Sequence, residues 1–556
     1  MGFLVSPGVD VNEVDLTNVI PAVSTSIGGI VGHFKWGPVE EVLSVGSEKE
    51  LVANFGKPDN NTYKQWFQAS AFLQYGNALN VYRTIPSESP TLANNASSGG
   101  GTFLVKNSDN YLSQTLSTSN FVARYPGALG NSLEVCVITS GNYAATANSI
   151  AKAAVRGAPT AGEIHIVILD EDGDITGTAD TVLEVFSDLT VVNTGDYKRD
   201  DGTSRYYVDV LETQSAWVWP TATIISATDN DSPTTDTDNY NYRFTGGSDG
   251  TAPGTAALQA VYTDAFGDAD TLDVNILIGP TGADSTAVGY AAANAVIAVA
   301  SGRKDCVAVV SPPTTGTDGT ALQSTTLAAV TNAKSWADSI TTNSYGILSS
   351  TSAYVYDKYN DVYRWIGSAG HVAGLLANVD DVAEPWFSPA GYNRGQLRGV
   401  VKLGYNPTQG ERNDLYKARI NPLVSFPGQG ILLFGDKTAQ IKPSAFEQIN
   451  VRRLFIVLEK AISTASKFQL FELNDEFTRA MFRNMTEPFL RDVKGRRGIT
   501  DFLVVCDETN NTGEVIDTNR FVADIYIKPA RSINFISLNF IATRTGVEFS
   551  EIAGQQ

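Results

Sequence analysis

The chain has 556 residues, of which 42% are hydrophobic and 18% charged, a composition typical of a globular protein and not of a disordered one. Its net charge of −20 repels phosphate, which argues against nucleic-acid binding or adhesion to anionic membranes as the main activity. Residues 401–556 hold 20 Lys+Arg and 18 Asp+Glu, which leaves 20 and 42 for residues 1–400. The last quarter is therefore expected to face a different electrostatic setting from the acidic remainder.

The spacing of the cysteines and the length of the apolar runs indicate in which cellular compartment the chain is expected. Cys136, Cys306 and Cys506 form no C-x-x-C pair, so we expect reduced thiols in a cytosolic assembly environment. The start, MGFLVSPGVDVNEVD, has no basic segment typical of a signal peptide. No run of about 18 apolar residues occurs, so no membrane-spanning helix is predicted.

The first 20 residues form an extended run around Pro7-Gly8, and Pro21 closes it without a hairpin partner nearby. A lone strand carries unpaired N–H and C=O groups. Such a strand pairs either with a distant part of its own chain or with another chain. A frayed terminus is the alternative.

The segment that follows predicts a strand–helix–strand unit. Residues 25–33 form a glycine-bearing strand pattern, residues 64–76 a helical one with a glycine at its end, and residues 80–85 another strand. This order favours an α/β core with a parallel pair. Residues 87–120, rich in Ser, Asn, Gly and Thr, mark a boundary.

Beyond that boundary the pattern changes twice. Four short strands are predicted first, at 132–138, 163–169, 182–186 and 205–211. After a polar loop at 229–242, strands at 271–279 and 306–313 alternate with helices at 285–300 and 322–340. The second part therefore predicts a doubly wound α/β layer.

The last segment begins near Ser344 and includes a long amphipathic helix at 446–468. Its predicted core face carries Leu454, Val457, Leu458 and Ala461, and its predicted wet face carries Arg452, Arg453, Glu459 and Lys460. A second helix at 475–493 and strands at 501–507, 521–530 and 533–549 follow. Extended segments at both chain ends would allow the chain to join neighbours at both ends.

Ser248 lies in Gly246-Gly247-Ser248-Asp249-Gly250, which matches the G-x-S-x-G pattern, and His371 follows in the order of an α/β-hydrolase. The nucleophile turn needs a helix directly after the serine, whereas TAPGT delays any helix to about Thr255. A glycine-rich turn is the favoured interpretation, and a serine hydrolase stays as an alternative of another class. With three histidines in the chain, no metal cluster is predicted.

Two other motifs point to structure and not to ligands. The acidic run 170–174 resembles a calcium loop, but its glycine is at the fourth position and not the sixth, so a turn between strands is favoured. The glycine-rich run 426–430 precedes a strand and cannot hold phosphate at a helix N-terminus. No cofactor is expected.

One cluster is strongly basic in this acidic chain: Arg491, Lys494, Arg496 and Arg497. A solvated helix end is one interpretation, because cations offset the helix dipole there. Docking onto an acidic partner surface is the other.

Long collinear segments at both ends of the chain resemble the tail sheath proteins of contractile bacteriophages, close to the type of large myoviruses. The matching segments include SPGVDVNEVD (6–15), GHFKWGPVEEV (32–42), ARYPGALGNSLEV (123–135), FTGGSDG (244–250) and, most densely, 372–400, 421–462 and 472–511. Residues 91–345 are mainly diverged. Residues 91–125 are too short for an additional exposed domain of larger relatives, so a host-surface role of that domain is in doubt here.

The resemblance implies a multidomain fold of α/β and α+β type. It implies an N-terminal arm (1–20), an inner α/β domain from both chain ends (21–90 with 345–530), an outer inserted α/β domain with a strand-rich part (91–344), and a C-terminal strand and arm (531–556). In the family, the arms add strands to neighbouring inner domains. The matching positions here are Val9, Val11, Glu13, Val14, Val547 and Phe549.

The resemblance also implies the function: a structural, non-enzymatic subunit that forms stacked hexameric rings around a tail tube and contracts to drive the tube through a host envelope. Implied partners are other copies of the chain, the tube protein, and baseplate and tail terminator proteins, with no nucleic acid and no stable membrane association. The basic cluster is the candidate tube-facing surface. The implied location is the virion, with assembly in the host cytoplasm. A phage-tail-like bacteriocin or secretion apparatus is the alternative setting.

Overall fold

The computed structural model of the chain describes residues 24–85, 96–97, 103–116, 120–144, 148–195, 197–221, 241–249, 255–280, 286–313, 326–534 and 536–538. Within these ranges, no helix has the length and apolar character needed to cross a bilayer. The structure confirms the predicted mixed α/β multidomain fold.

The described residues contain 21 strands. They are β1 (Gly28–Gly32), β2 (Val42–Val45), β3 (Leu79–Arg83), β4 (Ala96–Ser97), β5 (Phe121–Ala123), β6 (Leu133–Thr139), β7 (Glu163–Asp170), β8 (Thr181–Thr190), β9 (Val218–Pro220), β10 (Asn241–Thr245), β11 (Ile276–Ile278), β12 (Val307–Val310), β13 (Gly346–Ser349), β14 (Ser352–Asp357), β15 (Val362–Gly367), β16 (Val400–Leu403), β17 (Ile420–Asn421), β18 (Leu423–Phe426), β19 (Gly430–Leu433), β20 (Ile499–Val505) and β21 (Asp524–Pro529).

The same ranges contain 13 α-helices. They are α1 (Glu48–Phe55), α2 (Tyr63–Leu73), α3 (Ser108–Leu112), α4 (Ser149–Ala154), α5 (Tyr207–Gln214), α6 (Thr255–Phe266), α7 (Thr286–Arg303), α8 (Thr326–Asp338), α9 (Ala369–Val382), α10 (Gln409–Lys417), α11 (Ile449–Ser466), α12 (Glu476–Gly495) and α13 (Gly513–Asp517).

A seven-stranded sheet in the order β17-β13-β12-β11-β1-β3-β2 forms the centre of the molecule. All its pairs are parallel except β2 with β3. Side chains of one strand point to opposite faces, so Ile30 packs with α2 and α9 while Val31 packs with α6, α7 and α8. Both faces are covered by helices, as the strand–helix alternation predicted.

This sheet corrects one predicted boundary. Strands β11 and β12 fall within 91–344, the range assigned to an inserted outer domain, yet β11 pairs directly with β1, with Gly28 opposite Ile276. The physical reason is that a parallel strand needs a crossover connection but no closeness in sequence. The segment that lies between β3 and α6 is instead a separate antiparallel sheet in the order β8-β7-β6-β10-β4-β5-β9.

The prediction of a strand at 205–211 was wrong. Residues 207–214 form helix α5, in which Tyr207, Val210 and Leu211 are buried with the spacing of one helix face. The tyrosines and valines of this segment favour strands in general, but burial against the antiparallel sheet decided the outcome.

The C-terminal unit consists of α11, α12 and the two-stranded sheet β20–β21, which share one apolar core. The prediction of α11 and α12 is confirmed, but the predicted wet face of α11 was wrong for two residues: Arg452 and Arg453 are buried. Of the predicted final strand, the described residues 533–534 and 536–538 are not in a strand, and the rest lies outside the described residues.

Helices α2 and α9 approach each other closely at Gly370 and Gly374. A Cβ atom on Gly370 would lie 2.3 Å from the carbonyl oxygen of Gln68, and one on Gly374 would lie 2.5 Å from the ring of Tyr75. Glycine is therefore required at Gly370 because the neighbour is backbone and cannot turn away.

We expect Gly370→Ala to lower the free energy of unfolding by about 3 kcal/mol, since the two helices must move apart. Gly410→Ala is the matched control, because that glycine is also helical and a Cβ there meets nothing within 4 Å. The control should be neutral or stabilising by up to about 1 kcal/mol. Denaturant titration followed by tryptophan fluorescence measures both; equal stability of the two variants would contradict the close packing.

Candidate assembly surfaces

Sheet β20–β21 has only two strands among the described residues. Its register places Phe502 opposite Ile527 and Leu503 opposite Tyr526. Phe502 and Ile527 pack on the core with α12, whereas Leu503 is 58% and Tyr526 59% exposed. Two-stranded sheets are marginal by themselves, and each strand has an outer edge that can accept a further strand.

Helix α11 is hydrogen-bonded to Thr25, close to the first residue that the structure describes. The Arg453 guanidinium forms a 2.7 Å ion pair with Asp380 of α9 and donates to the carbonyl oxygens of Leu376 (3.1 Å) and Thr25 (3.3 Å). Burial raises the pKa of Asp380, and the Arg453 charge opposes that rise. A buried arginine at this position thus ties α9 and residue 25 to α11.

The same helix is also hydrogen-bonded to Ala530, the residue that follows β21. Asn450 donates from its side-chain amide to the Ala530 carbonyl at 3.3 Å, one helical turn from Arg453. The Ser532 hydroxyl donates to the Asp436 carboxylate at 3.0 Å, and burial raises the pKa of Asp436 to about 6. We call Thr25 and Ala530 the arm roots; both are fixed near the beginning of α11.

The arm residues proposed from the sequence lie beyond these roots. Val9, Val11, Glu13, Val14, Val547 and Phe549 all fall outside the described residues. The sequence did not indicate the roots, because Arg453 and Asn450 follow the polar spacing of a solvated helix face.

The basic cluster is exposed at the end of α12, but most of its charges are paired. Arg491 lies 3.9 Å from Glu487, Lys494 lies 3.2 Å from Asp501, and Arg496 contacts Asp492 and Glu384. Arg497 has no ion-pair partner in the described part of the chain. The spacing of four residues between acid and base in two of these pairs was readable from the sequence.

The hydrolase hypothesis requires Ser248 and His371 to meet, and the structure does not bring them together. His371 is fully buried in α9, edge-on to Tyr75, and neither ring nitrogen has a hydrogen-bond partner within the described ranges. Ser248 lies in the loop after β10, two residues after Gly246, which has a φ of +92°.

The glycine-rich motif around Ser248 instead forms a junction between the two large sheets. Asp249 accepts a 2.8 Å hydrogen bond from the Ala128 amide, and Asn131 exchanges two hydrogen bonds with Gly247. Nearby, the buried Arg83 at the end of β3 donates to carbonyls of 34, 35 and 37 and to that of Pro126. These contacts join 32–38, 83, 126–131 and 247–249, parts of several segments that carry the family resemblance.

The acidic run 170–174 is a connection between β7 and β8, as predicted. The Asp170 carboxylate accepts hydrogen bonds from the Ser132 hydroxyl (2.6 Å) and from the Thr176 amide (2.7 Å). Burial alone would raise the pKa of Asp170, but these hydrogen bonds hold it below its ordinary value. No group of three or more metal-ligating side chains converges anywhere in the described residues.

Three family models match the chain: the Tail sheath protein Gp18 domain III N-terminal region at residues 25–84, the Phage tail sheath protein central domain at 255–439, and the Phage tail sheath C-terminal domain at 442–543. The tail sheath protein of Vibrio phage KVP40 is 32% identical over 99% of this chain and 100% of its own length. That of Enterobacteria phage T4 is 31% identical over 99% of both.

Solved structures share the fold at low sequence identity. The sheath tail protein of Listeria innocua aligns with a TM-score of 0.55 at 12% identity, covering 92% of this chain and 96% of that one. The sheath of an extracellular contractile injection system in the contracted state aligns with a TM-score of 0.53 at 14% sequence identity, covering 98% of this chain and 99% of that one.

The fold and the sequence matches define a structural protein of contractile tails. The chain belongs to the tail sheath protein family of contractile bacteriophages. It is a sheath subunit, as the sequence predicted.

His371 generates a prediction about acid stability. Burial lowers its pKa to about 4 from 6.5, so the unfolded chain takes up a proton between these values and the folded chain does not. Stability therefore falls as pH drops from about 6.5 towards 4. We expect His371→Phe to reduce the loss of unfolding free energy between pH 7 and pH 5 by about 2 kcal/mol. Denaturant titrations at both pH values measure this, and an unchanged loss would contradict a buried neutral imidazole.

Proposed function

We propose that this chain polymerises as stacked hexameric rings around a tail tube and contracts to drive the tube through a host envelope. Family membership supports this proposal, as do the names of solved relatives, which include a helical sheath in a contracted state. We infer that the tube protein, the baseplate and a tail terminator are its partners, that it assembles in the host cytoplasm, and that the particle is a phage and not a phage-derived device.

The observation that carries the proposal is the two-stranded sheet β20–β21, whose edges are free among the described residues. We propose that the N-terminal arm (around Val9, Val11, Glu13 and Val14) and the C-terminal arm (around Val547 and Phe549) of adjacent copies add strands to this sheet. Each added main-chain hydrogen bond contributes about 0.5–1.5 kcal/mol. The arm roots are fixed on α11, so each arm transmits the position of its own subunit to the next.

Contraction then needs no catalysis and no cofactor. Energy stored in a first packing of subunits is released when a second packing buries more surface, while the exchanged strands keep the subunits connected. The isolated, buried His371 gives the alternative serine hydrolase no catalytic base. We therefore propose a purely structural role.

We propose that the basic cluster faces the tube. All four side chains are exposed at one end of α12. Lys494 and Arg496 form the shorter ion pairs, at 3.1–3.2 Å, whereas Arg491 lies 3.9 Å from Glu487 and Arg497 has no ion-pair partner in the described ranges. Arg491 and Arg497 therefore supply most of the positive charge that a partner would meet.

Removing residues 1–20 should leave a folded monomer that no longer polymerises, because the added strand is lost. Val11→Pro should raise the critical concentration for assembly by about tenfold, since proline lacks the N–H that a strand donates. Val11→Thr is the matched control and should assemble normally. Sedimentation velocity and negative-stain microscopy measure the outcome; polymers of normal length from the deletion variant would refute strand exchange by this arm.

Charge reversal at Arg491 and Arg497 should weaken tube binding by about tenfold and leave sheath polymers intact. These two are chosen because reversing Arg496 would repel two acids at close range, Glu384 at 3.2 Å and Asp492 at 3.1 Å, whereas the ion pair that Arg491 gives up is the longer 3.9 Å contact with Glu487. Lys417→Glu with Lys442→Glu, which changes the net charge equally at exposed sites, is the control. Co-sedimentation with purified tube reports affinity; equal binding of both double variants would mean that the cluster is merely solvated.

A further inference from the structure

The connection between α11 and α12 exposes an unusual amount of apolar surface. Phe468 is 70% and Leu473 77% exposed, and Phe471 is fully exposed with a φ of +71°. Leu470 and Phe477 are exposed as well. We call residues 467–477 the hairpin tip. Contiguous apolar patches of this kind mark interaction sites in soluble proteins.

The tip has a defined shape that a partner can fit. Asp475 caps α12 by accepting from the Thr478 amide at 2.8 Å. Asn474 donates to the Arg520 carbonyl at 2.9 Å and accepts from Arg479 at 3.0 Å. The apolar side chains are thus presented by a hydrogen-bonded turn.

The chain's own described residues do not cover this surface. Asn450, near the start of α11, holds the arm root at Ala530. Phe468 follows Asn450 by 18 residues, which corresponds to about 27 Å along the helix axis. Sheet β20–β21 runs between these two places: Ala530 bonds to Gly498 at one end, and Phe521 packs on Phe482 near the tip at the other. A strand added to this sheet therefore ends beside the tip.

The charge and the apolar content of the two arms indicate which of them fits the hairpin tip. The tip carries Lys467 against Glu472, Asp475 and Glu476. Residues 1–23 contain three acidic and no basic residues, whereas residues 535–544, FISLNFIATR, contain no acid, one arginine and five large apolar side chains. Only the second segment is complementary to an acidic-rimmed apolar surface.

We propose that residues 535–544 of an adjacent copy cover the hairpin tip, so that the tip is a second docking surface beside the β20–β21 sheet. This inference rests on the proposed sheath assembly. Apolar burial at the tip adds side-chain specificity to main-chain pairing, which by itself is independent of sequence.

Cysteine cross-linking in mixed polymers tests the proposal, because the three native cysteines are buried. Copies with Phe471→Cys are assembled with copies that carry Ile536→Cys, Leu538→Cys or Phe540→Cys, and then oxidised. We expect at least one pair to give a cross-linked dimer, since a disulfide requires Cα atoms within about 7 Å. Leu112→Cys, 70% exposed in the inserted sheet region, is the matched control and should give none.

The outcomes are separable. The polymers could look normal and give no cross-link, while Phe471→Cys reacts with maleimide as fast as in the monomer. That result would contradict the proposed docking surface but not the proposed sheath function. Failure of the unaltered chain to polymerise would overturn the proposed function and this inference with it. A cross-link within diluted, unassembled copies of the double variant Phe471→Cys/Phe540→Cys would mean that the tip is covered by its own chain, contrary to the proposal.

Discussion

The buried ion pair between Arg453 and Asp380 is the interaction on which our proposed assembly geometry depends. Breaking such a pair by removing one partner costs about 3–5 kcal/mol, because a charge is left buried and unpaired. Arg453 also contacts the carbonyl of Thr25, and Asn450, one turn earlier, contacts that of Ala530. Both arm roots are therefore fixed to one helix. The positions of Thr25 and Ala530, from which we propose that the arms extend, are thus fixed relative to each other.

A second rigid element connects the two large sheets. Arg83 is fully buried and satisfies carbonyls of the loop after β1 and of Pro126 near the antiparallel sheet. The planar guanidinium has five N–H donors in a fixed fork, whereas a lysine ammonium has three and could not make all four of these hydrogen bonds. These hydrogen bonds connect the central sheet to the segment between β5 and β6 of the antiparallel sheet.

Much of the fold could be predicted from the sequence, because apolar periodicity records which faces are buried. The strand at 28–32, helix α2 and the alternation after residue 271 followed from that signal alone. The helix at 207–214 could not be predicted from this signal, because its tyrosines and valines favour strands in general. Only packing against the antiparallel sheet, which buries Tyr207 and Leu211, favours the helix. Local patterns also cannot reveal that β11 pairs with β1 across 248 residues, or that Arg452 and Arg453 are buried, because their partners come from distant segments.

The candidate surfaces were predictable to different degrees. The extended terminal segments and the basic cluster are visible in the sequence. The arm roots and the ion pairs of Lys494 with Asp501 and of Arg496 with Glu384 are tertiary features. The central claim is that the arms of adjacent copies complete sheet β20–β21. A cryo-EM map of the assembled sheath at side-chain resolution tests it directly. We expect a sheet of more than two strands at residues 499–529, with the added strands traced to other subunits. Termini that fold back onto their own subunit, with β20–β21 still two-stranded, would contradict it.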